Sequence, residues 1–410
     1  MRDLPRLVFL CAVAGALPAC QLILGVDDLQ LRDAAGTGPD APRPDGPVVT
    51  PDGPPIDGDT QLPDARTPDA RIPDASPETP NLAFVTSTSH TGALGGLAGA
   101  DAICQARAQA ASLPGTFKAW LSTADVNAID RLGSASGWVR IDGKPVAQTP
   151  RDVGDGNFYY PIRLDERGRD VPNSVVAFTG TTFHGEVHPD AGHCRSWTSA
   201  AMTDTGAGGL PSAGSTMFEI YFYSACNQES RLYCFQTDHR ATLTRPAQTG
   251  RIAFTSNQEW HSGGGVASAD RICQDEADGN GLPGTYLALL ATSGASAASR
   301  FDTSGPPWRR VDGVRVTDTA AEFFTTTTFD APPNVSADGH TYYGNFAVWS
   351  GAGNMGAAGT QLSTCNNWTT AAANASVKGG VVGTTGTATV FGSYPMMCDA
   401  GYAHLVCMQR

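Results

Sequence analysis

Two matched sets of four cysteines are the residues best placed to do chemistry in this sequence of 410 residues. The sets are Cys104, Cys194, Cys226 and Cys234, then Cys273, Cys365, Cys398 and Cys407. Zinc sites favour closely spaced Cys or Cys/His pairs, whereas the closest cysteines here are eight or nine residues apart. Even numbers of cysteines at matched spacings are instead typical of disulfides in exported proteins.

Four cysteines allow three pairings, and the nested one is favoured here. The first cysteine of each set falls in a predicted helix, and the last lies near the C-terminal end of its segment. A bond between them would tie the two ends together. The favoured pairs are Cys104–Cys234 and Cys194–Cys226, then Cys273–Cys407 and Cys365–Cys398.

A histidine-rich loop is the other candidate for chemistry. His184, His188 and His193 lie four and five residues apart, with Glu186 and Asp190 between them. Such a loop would bind zinc if it curled around the ion. However, the helical His-Glu-x-x-His motif is absent, and the matching stretch of the second set has no histidine. A solvated loop is therefore favoured over a metal site, and we expect no cofactor.

The cysteines belong to a long repeat. The Leu-Pro-Gly-Thr turn at 113–116 returns at 282–285, and "WVRIDG" at 138–143 returns as "WRRVDG" at 308–313. Few solenoid repeats are this long, so each copy is predicted to be a complete domain.

The predicted domains are 81–238 and 251–410, joined by a short polar hinge at 239–250. Each copy starts with a strand rich in β-branched and aromatic residues and continues into a helix. These helices are predicted at 100–111, with Asp101 in the first turn, and at 270–278, which starts at Asp270. The Asp-Gly pairs indicate hairpin turns, and later strands alternate with long Gly-, Ser- and Thr-rich loops. This is an α+β pattern, and each copy should fold by itself.

The N-terminus predicts export and lipidation. Arginines precede a short apolar run that ends in Leu-Pro-Ala before Cys20, which resembles a bacterial lipobox. Residues 1–19 are therefore predicted to be a lipoprotein signal peptide, with Cys20 carrying the lipid. Gln21 in place of Asp implies the outer membrane or cell surface.

The segment 20–80 is predicted to be a disordered tether. Pro-Asp recurs throughout it and large apolar residues are sparse, so little surface can be buried. The net charge of the chain is −13, and residues 27–79, with twelve acidic and four basic side chains, hold −8 of it. No basic patch is present, so nucleic acid is not an expected partner.

The two copies resemble the endostatin domain of collagens. The resemblance rests on Ala-Asp before the first cysteine, the Leu-Pro-Gly-Thr turn with "AWLS", and Phe183-His184-Gly185 before "CRSW". The closer match is a bacterial lipoprotein family of unknown function, related to the leptospiral endostatin-like adhesins. It covers about three-quarters of the chain. The resemblance implies two tandem C-type-lectin-like domains, the nested disulfides, and binding rather than catalysis.

Some ligand sites of endostatin and of calcium-dependent lectins are not expected in this chain. The arginine-rich heparin face of endostatin and its N-terminal zinc histidines have no counterpart here, and the triplets of calcium-dependent lectins are absent. The leading hypothesis is a surface-displayed, lipid-anchored adhesion protein, not an enzyme, that recognises an extracellular protein or glycan. The alternatives are a metal-dependent hydrolase using His184, His188 and His193, and a structural envelope protein.

Overall fold

Residues 79–189, 192–244, 249–342, 346–372 and 376–410 are described by the structure, which is a computed structural model. The predicted signal peptide, Cys20, nearly all of the predicted tether and part of the predicted hinge lie outside these residues. Among the described helices, none has the length and apolar character needed to cross a bilayer.

The first copy is a mixed α+β unit built around one sheet. Its strands are β1 Asn81–Val85, β2 Phe117–Ala119, β3 Trp138–Val139, β4 Pro145–Ala147, β5 Ala177–Phe178, β6 Thr205–Gly209, β7 Phe222–Ala225 and β8 Arg231–Gln236. Their order in the sheet is β4-β3-β1-β8-β5-β6-β7, and β2 also pairs with β8. Its helices are α1 Gly96–Ala110, α2 Ala128–Arg131, α3 Pro150–Gly154 and α4 Cys194–Trp197.

The second copy repeats this plan with two sheets. Its strands are β9 Arg251–Thr255, β10 Tyr286–Ala288, β11 Trp308–Arg309, β12 Phe346–Trp349, β13 Ser376–Val382, β14 Tyr394–Met397 and β15 Val406–Gln409. Their orders in the two sheets are β10-β15-β9-β11 and β12-β13-β14. Its helices are α5 Val266–Gly279, α6 Ala320–Thr325, α7 Cys365–Trp368 and α8 Thr387–Val390. The α+β class predicted from the sequence is what the structure shows.

The two long helices start four residues earlier than the sequence predicts, at Gly96 and Val266. The prediction placed the acidic residue of each copy in the first turn. In the structure each helix instead starts directly after a glycine with positive φ, Gly95 at 82° and Gly265 at 71°. Glycine adopts this conformation without steric cost, so it marks the true start.

The acidic residue ties the helix to the second strand. The Asp101 carboxylate accepts a hydrogen bond from the Ala119 backbone N–H at 2.9 Å, and Asp270 does the same for Ala288 at 2.9 Å. Gln105, one turn further along the helix, makes a similar bond. Its side-chain oxygen accepts a hydrogen bond from the Phe117 backbone N–H at 3.0 Å. These polar side chains fix the register between the helix and the sheet.

The Leu-Pro-Gly-Thr turn needs its glycine for two reasons. Gly115 has a φ of 95° and Gly284 a φ of 100°, a region that other residues rarely occupy. A Cβ at Gly115 would also overlap the side chains of Gln236 and Asp238, and one at Gly284 would overlap Gln409. The turn is therefore pressed against the end of the last strand in both copies.

Small residues let the long helix lie close to the sheet. Helix α1 buries Ala100, Cys104 and Ala108, which recur every four residues on one face. The same positions of α5 are Ala269, Cys273 and Ala277. With no large side chain between helix and sheet, the central cysteine reaches the last strand.

The described part of the chain contains four disulfides, and both copies have the nested pairing. They are Cys104–Cys234, Cys194–Cys226, Cys273–Cys407 and Cys365–Cys398. The outer bonds join the long helix to the last strand, with Cα–Cα distances of 5.5 and 5.3 Å. The sequence predicts the same four pairs.

Candidate functional site

The two copies meet along a short backbone contact. Both belong to the same compact unit of the chain. The Gly214 N–H donates to the Gly383 carbonyl at 2.9 Å, and the Thr385 N–H donates to the Ser212 carbonyl at 2.8 Å. Residues 212–214 and 383–385 thus pair in antiparallel fashion, and corresponding loops of the two copies face each other.

Arginines reinforce this contact in a nearly symmetric way. In the first copy, Arg163 donates to the Phe329 carbonyl of the second. In return, Arg310 of the second copy donates to the carbonyl of Phe158 at 3.2 Å. Phe158 and Phe329 occupy corresponding positions of the repeat, so each copy offers the same carbonyl to an arginine of the other.

A groove of about 380 Å³ lies beside this contact and is lined by both copies. Its apolar surface comes from Leu210, Met217 and Val381. Its polar lining is made of hydroxyl and amide side chains: Asn173, Ser174, Ser212, Thr384, Thr389 and Ser393. None of the described lining residues is charged, so the groove offers hydrogen bonds and apolar contact but no charged group.

Two tyrosines from different copies line the groove and remain accessible. Tyr221 is 53% exposed and Tyr394 is 40% exposed. Tyr221 directly precedes β7 and Tyr394 begins β14, which are corresponding edge strands of the two copies. The groove thus has an aromatic residue from each copy, and a ligand lying in it would contact both.

A second cleft, of about 440 Å³, differs in character. It is lined by Asp142, Lys144, Arg315 and Asp318 among others. These charges are engaged within the protein: Lys144 pairs with Asp330 at 2.8 Å, and Arg315 with Asp318 at 3.6 Å. Because its cations already have partners, this cleft is the weaker candidate for ligand binding.

The three histidines of the predicted loop each have a different partner. His184 Nδ1 lies 2.6 Å from an Asp155 carboxylate oxygen, and His188 Nε2 lies 2.5 Å from the Tyr223 hydroxyl. His193 Nδ1 accepts a hydrogen bond from a backbone N–H at 2.9 Å and caps α4. In the part of the chain that the structure describes, no group of three His, Cys, Asp or Glu side chains is arranged to hold a metal ion.

Each copy contains a left-handed turn that sequence reasoning missed. From Cys194 to Trp197 φ lies between 46° and 64°, and from Cys365 to Trp368 between 47° and 68°. Such conformations cost about 1–2 kcal/mol per residue for non-glycine residues. The first residue of each turn is held in a disulfide, and the tryptophan Nε1 donates to a backbone carbonyl at 2.7 Å in the first copy and 2.8 Å in the second. These anchors at both ends hold the strained turn in place.

The chain matches no protein-family model and no curated protein. The candidate site therefore rests on the geometry of the groove. The sequence held one weak signal for it: a tyrosine next to or at the start of the same late strand in each copy, although Tyr221 and Tyr394 are not equivalent positions of the repeat. That signal becomes meaningful only once the two copies are seen to face each other.

The carboxyl group of Glu219 is buried and lies close to residues 184 and 185 of the histidine loop. Burial raises the pKa of Glu219 well above its ordinary value, an effect that the Gly185 N–H and the Trp120 indole partly offset. Neither carboxylate oxygen makes a hydrogen bond of normal geometry with a described residue. Because the folded state holds this proton more tightly than the unfolded chain does, the free energy of unfolding falls as pH rises above the ordinary carboxyl pKa.

Replacing this carboxyl should stabilise the protein at alkaline pH. We expect Glu219→Gln to raise the free energy of unfolding at pH 8 by about 1–3 kcal/mol, because a neutral amide avoids the cost of a buried unpaired charge. The gain should shrink towards pH 4. Denaturant titrations across this pH range measure it.

Glu166 provides the matched control. It is also buried, but it accepts a hydrogen bond from the Ser87 N–H at 2.8 Å and lies 3.8 Å from Arg107. Glu166→Gln should therefore lower stability at pH 8. If both variants changed stability in the same direction, the difference in pairing would not be the cause.

Proposed function

We propose that this chain is a surface-displayed, lipid-anchored binding protein that recognises an extracellular protein or glycan through its two lectin-like copies. The observation that carries the proposal is the uncharged groove with Tyr221 and Tyr394, because it is accessible, concave and built by both copies. Aromatic residues beside hydroxyl groups are typical of recognition surfaces.

Anchoring and placement rest on the sequence. Lipidation at Cys20 would hold the chain to the outer membrane, and the tether at 20–80 would separate the folded copies from the bilayer. The lectin-like assignment rests on the resemblance to endostatin-like adhesins. Since both copies line one groove, a single ligand would contact both at once, which differs from two copies binding separately.

An array experiment tests the proposal. The labelled full chain is applied to immobilised matrix proteins, plasma proteins and glycans, and we expect saturable binding to at least one of them. Reducing the disulfides should abolish this binding, because recognition requires the folded copies. Two results would contradict the proposal: no binder on the array, or binding that survives reduction and denaturation.

A further inference from the structure

The chemistry of the groove excludes several classes of ligand. Phosphate, sulfate and carboxylate groups are bound most strongly by cationic side chains, and none of the described lining residues is charged. A fatty-acyl chain needs an apolar cavity, whereas hydroxyl and amide side chains from both copies line this groove. The ligand that fits must be neutral and must combine hydroxyl groups with apolar patches.

The base of the groove offers an unused hydrogen-bonding group. Thr384 lines the groove, and its Oγ1 is buried without a partner among the described residues. Buried hydroxyl groups in proteins are nearly always hydrogen-bonded. Its neighbour Ser212 is also buried and lies across the contact between the copies. Because this oxygen is itself shielded from the groove, a ligand hydroxyl would reach it only after the Thr384 side chain rotated towards the ligand.

The sides of the groove offer ring surfaces. Tyr221 and Tyr394 are large side chains with an apolar face and a polar tip, and both remain exposed. A flat aromatic face suits the C–H-rich face of a sugar ring, while Ser174, Thr389 and Ser393 are placed among the polar lining to meet its hydroxyl groups. The volume of about 380 Å³ is in the range of small-molecule sites.

We infer that the groove between the two copies binds a neutral oligosaccharide, with sugar rings against Tyr221 and Tyr394 and sugar hydroxyls bonded to the serine and threonine side chains. This inference rests on the proposed binding function and names its site and ligand class. Neutrality separates it from the sulfated glycans that an arginine-rich face would bind.

The test uses the full chain with lactose, maltose, cellobiose and N,N′-diacetylchitobiose as neutral probes and a heparin disaccharide as the anionic probe. Saturation-transfer NMR detects binding and calorimetry measures affinity. We expect at least one neutral probe to bind. Tyr221→Ala and Tyr394→Ala should each weaken it about tenfold, as for an aromatic residue at the centre of a site.

Two controls separate stacking from general effects. Tyr221→Phe keeps the ring and should stay within about threefold of the wild type. Tyr402→Ala removes a tyrosine that is also 53% exposed but does not line the groove, and it should leave affinity unchanged. Equal loss in the Tyr402 variant, or binding of the heparin disaccharide alone, would overturn the inference.

The outcomes also distinguish this inference from the proposed function. If the array identifies a ligand that the Tyr221→Ala and Tyr394→Ala variants bind as well as the wild type does, the groove assignment is wrong and the binding function stands. If no neutral sugar binds in either experiment, the inference is also overturned. If nothing at all binds, both proposals fail.

Discussion

Removing the outer disulfide of the first copy, by changing both Cys104 and Cys234 to alanine, should lower its free energy of unfolding by about 4–5 kcal/mol. The bond closes a loop with a sequence separation of 130 residues, so its loss increases the conformational entropy of a large part of the unfolded chain. This is a large share of the stability of a typical domain. Denaturant titration, followed by the fluorescence of the buried tryptophans, measures the change.

The inner disulfide of the same copy is the matched control. Cys194 and Cys226 are separated by 32 residues, so the loss of that bond should cost less, about 3.7 kcal/mol in the same chain-entropy model. The inner bond also anchors the left-handed turn at Cys194–Trp197. If loss of the inner disulfide lowered stability more than loss of the outer one, holding this strained turn would contribute more to stability than loop closure does.

Replacing Arg310 with methionine should lower the free energy of unfolding by about 3–5 kcal/mol, because it removes the cation that neutralises a poorly solvated carboxylate. Arg310 is 1% exposed and pairs with Asp312, which is 14% exposed, at 2.5 Å. It also donates to Asn334 at 3.2 Å and to the Phe158 carbonyl of the other copy. The variant should therefore weaken both the second copy and its contact with the first.

Calorimetry can separate these two effects. The wild type should unfold with the two copies coupled, whereas the Arg310→Met variant should show the second copy unfolding first. Arg140 is the matched control: it occupies the corresponding position and pairs with Asp142, which is 34% exposed. Among the described residues its guanidinium donates to Asp142 of the same copy, so Arg140→Met should cost less. Equal losses in the two variants would contradict a role for Arg310 between the copies.

Prediction from the sequence was most successful for features that depend on local chemistry and on residue spacing. The nested cysteine pairs could be predicted because a helix, a turn and a closing strand recur around them in the same order. Helix starts were misplaced by four residues because the acidic residues at Asp101 and Asp270 were interpreted as first-turn signals. They instead bond to the second strand, a contact that requires the sheet to be in place.

The partners of the three histidines in the loop could not be predicted from the sequence. Three histidines close in sequence are a reasonable candidate for a metal site, but a loop's conformation depends on what packs around it. The structure directs His184 to Asp155, His188 to Tyr223 and His193 to the start of α4. Such partners come from distant parts of the chain, and spacing along the sequence carries no information about them.

By itself, the sequence determined the α+β class, the duplication and the cysteine order, because helix-forming residues, turn glycines and repeated motifs act over short distances. Only the tertiary structure decided that the two copies face each other, that Arg163 and Arg310 bond across the contact, and that Tyr221 and Tyr394 share one groove. The physical reason is that surface complementarity between two folded units depends on side chains far apart in the chain. No periodic pattern in the sequence predicts which of these side chains will be in contact.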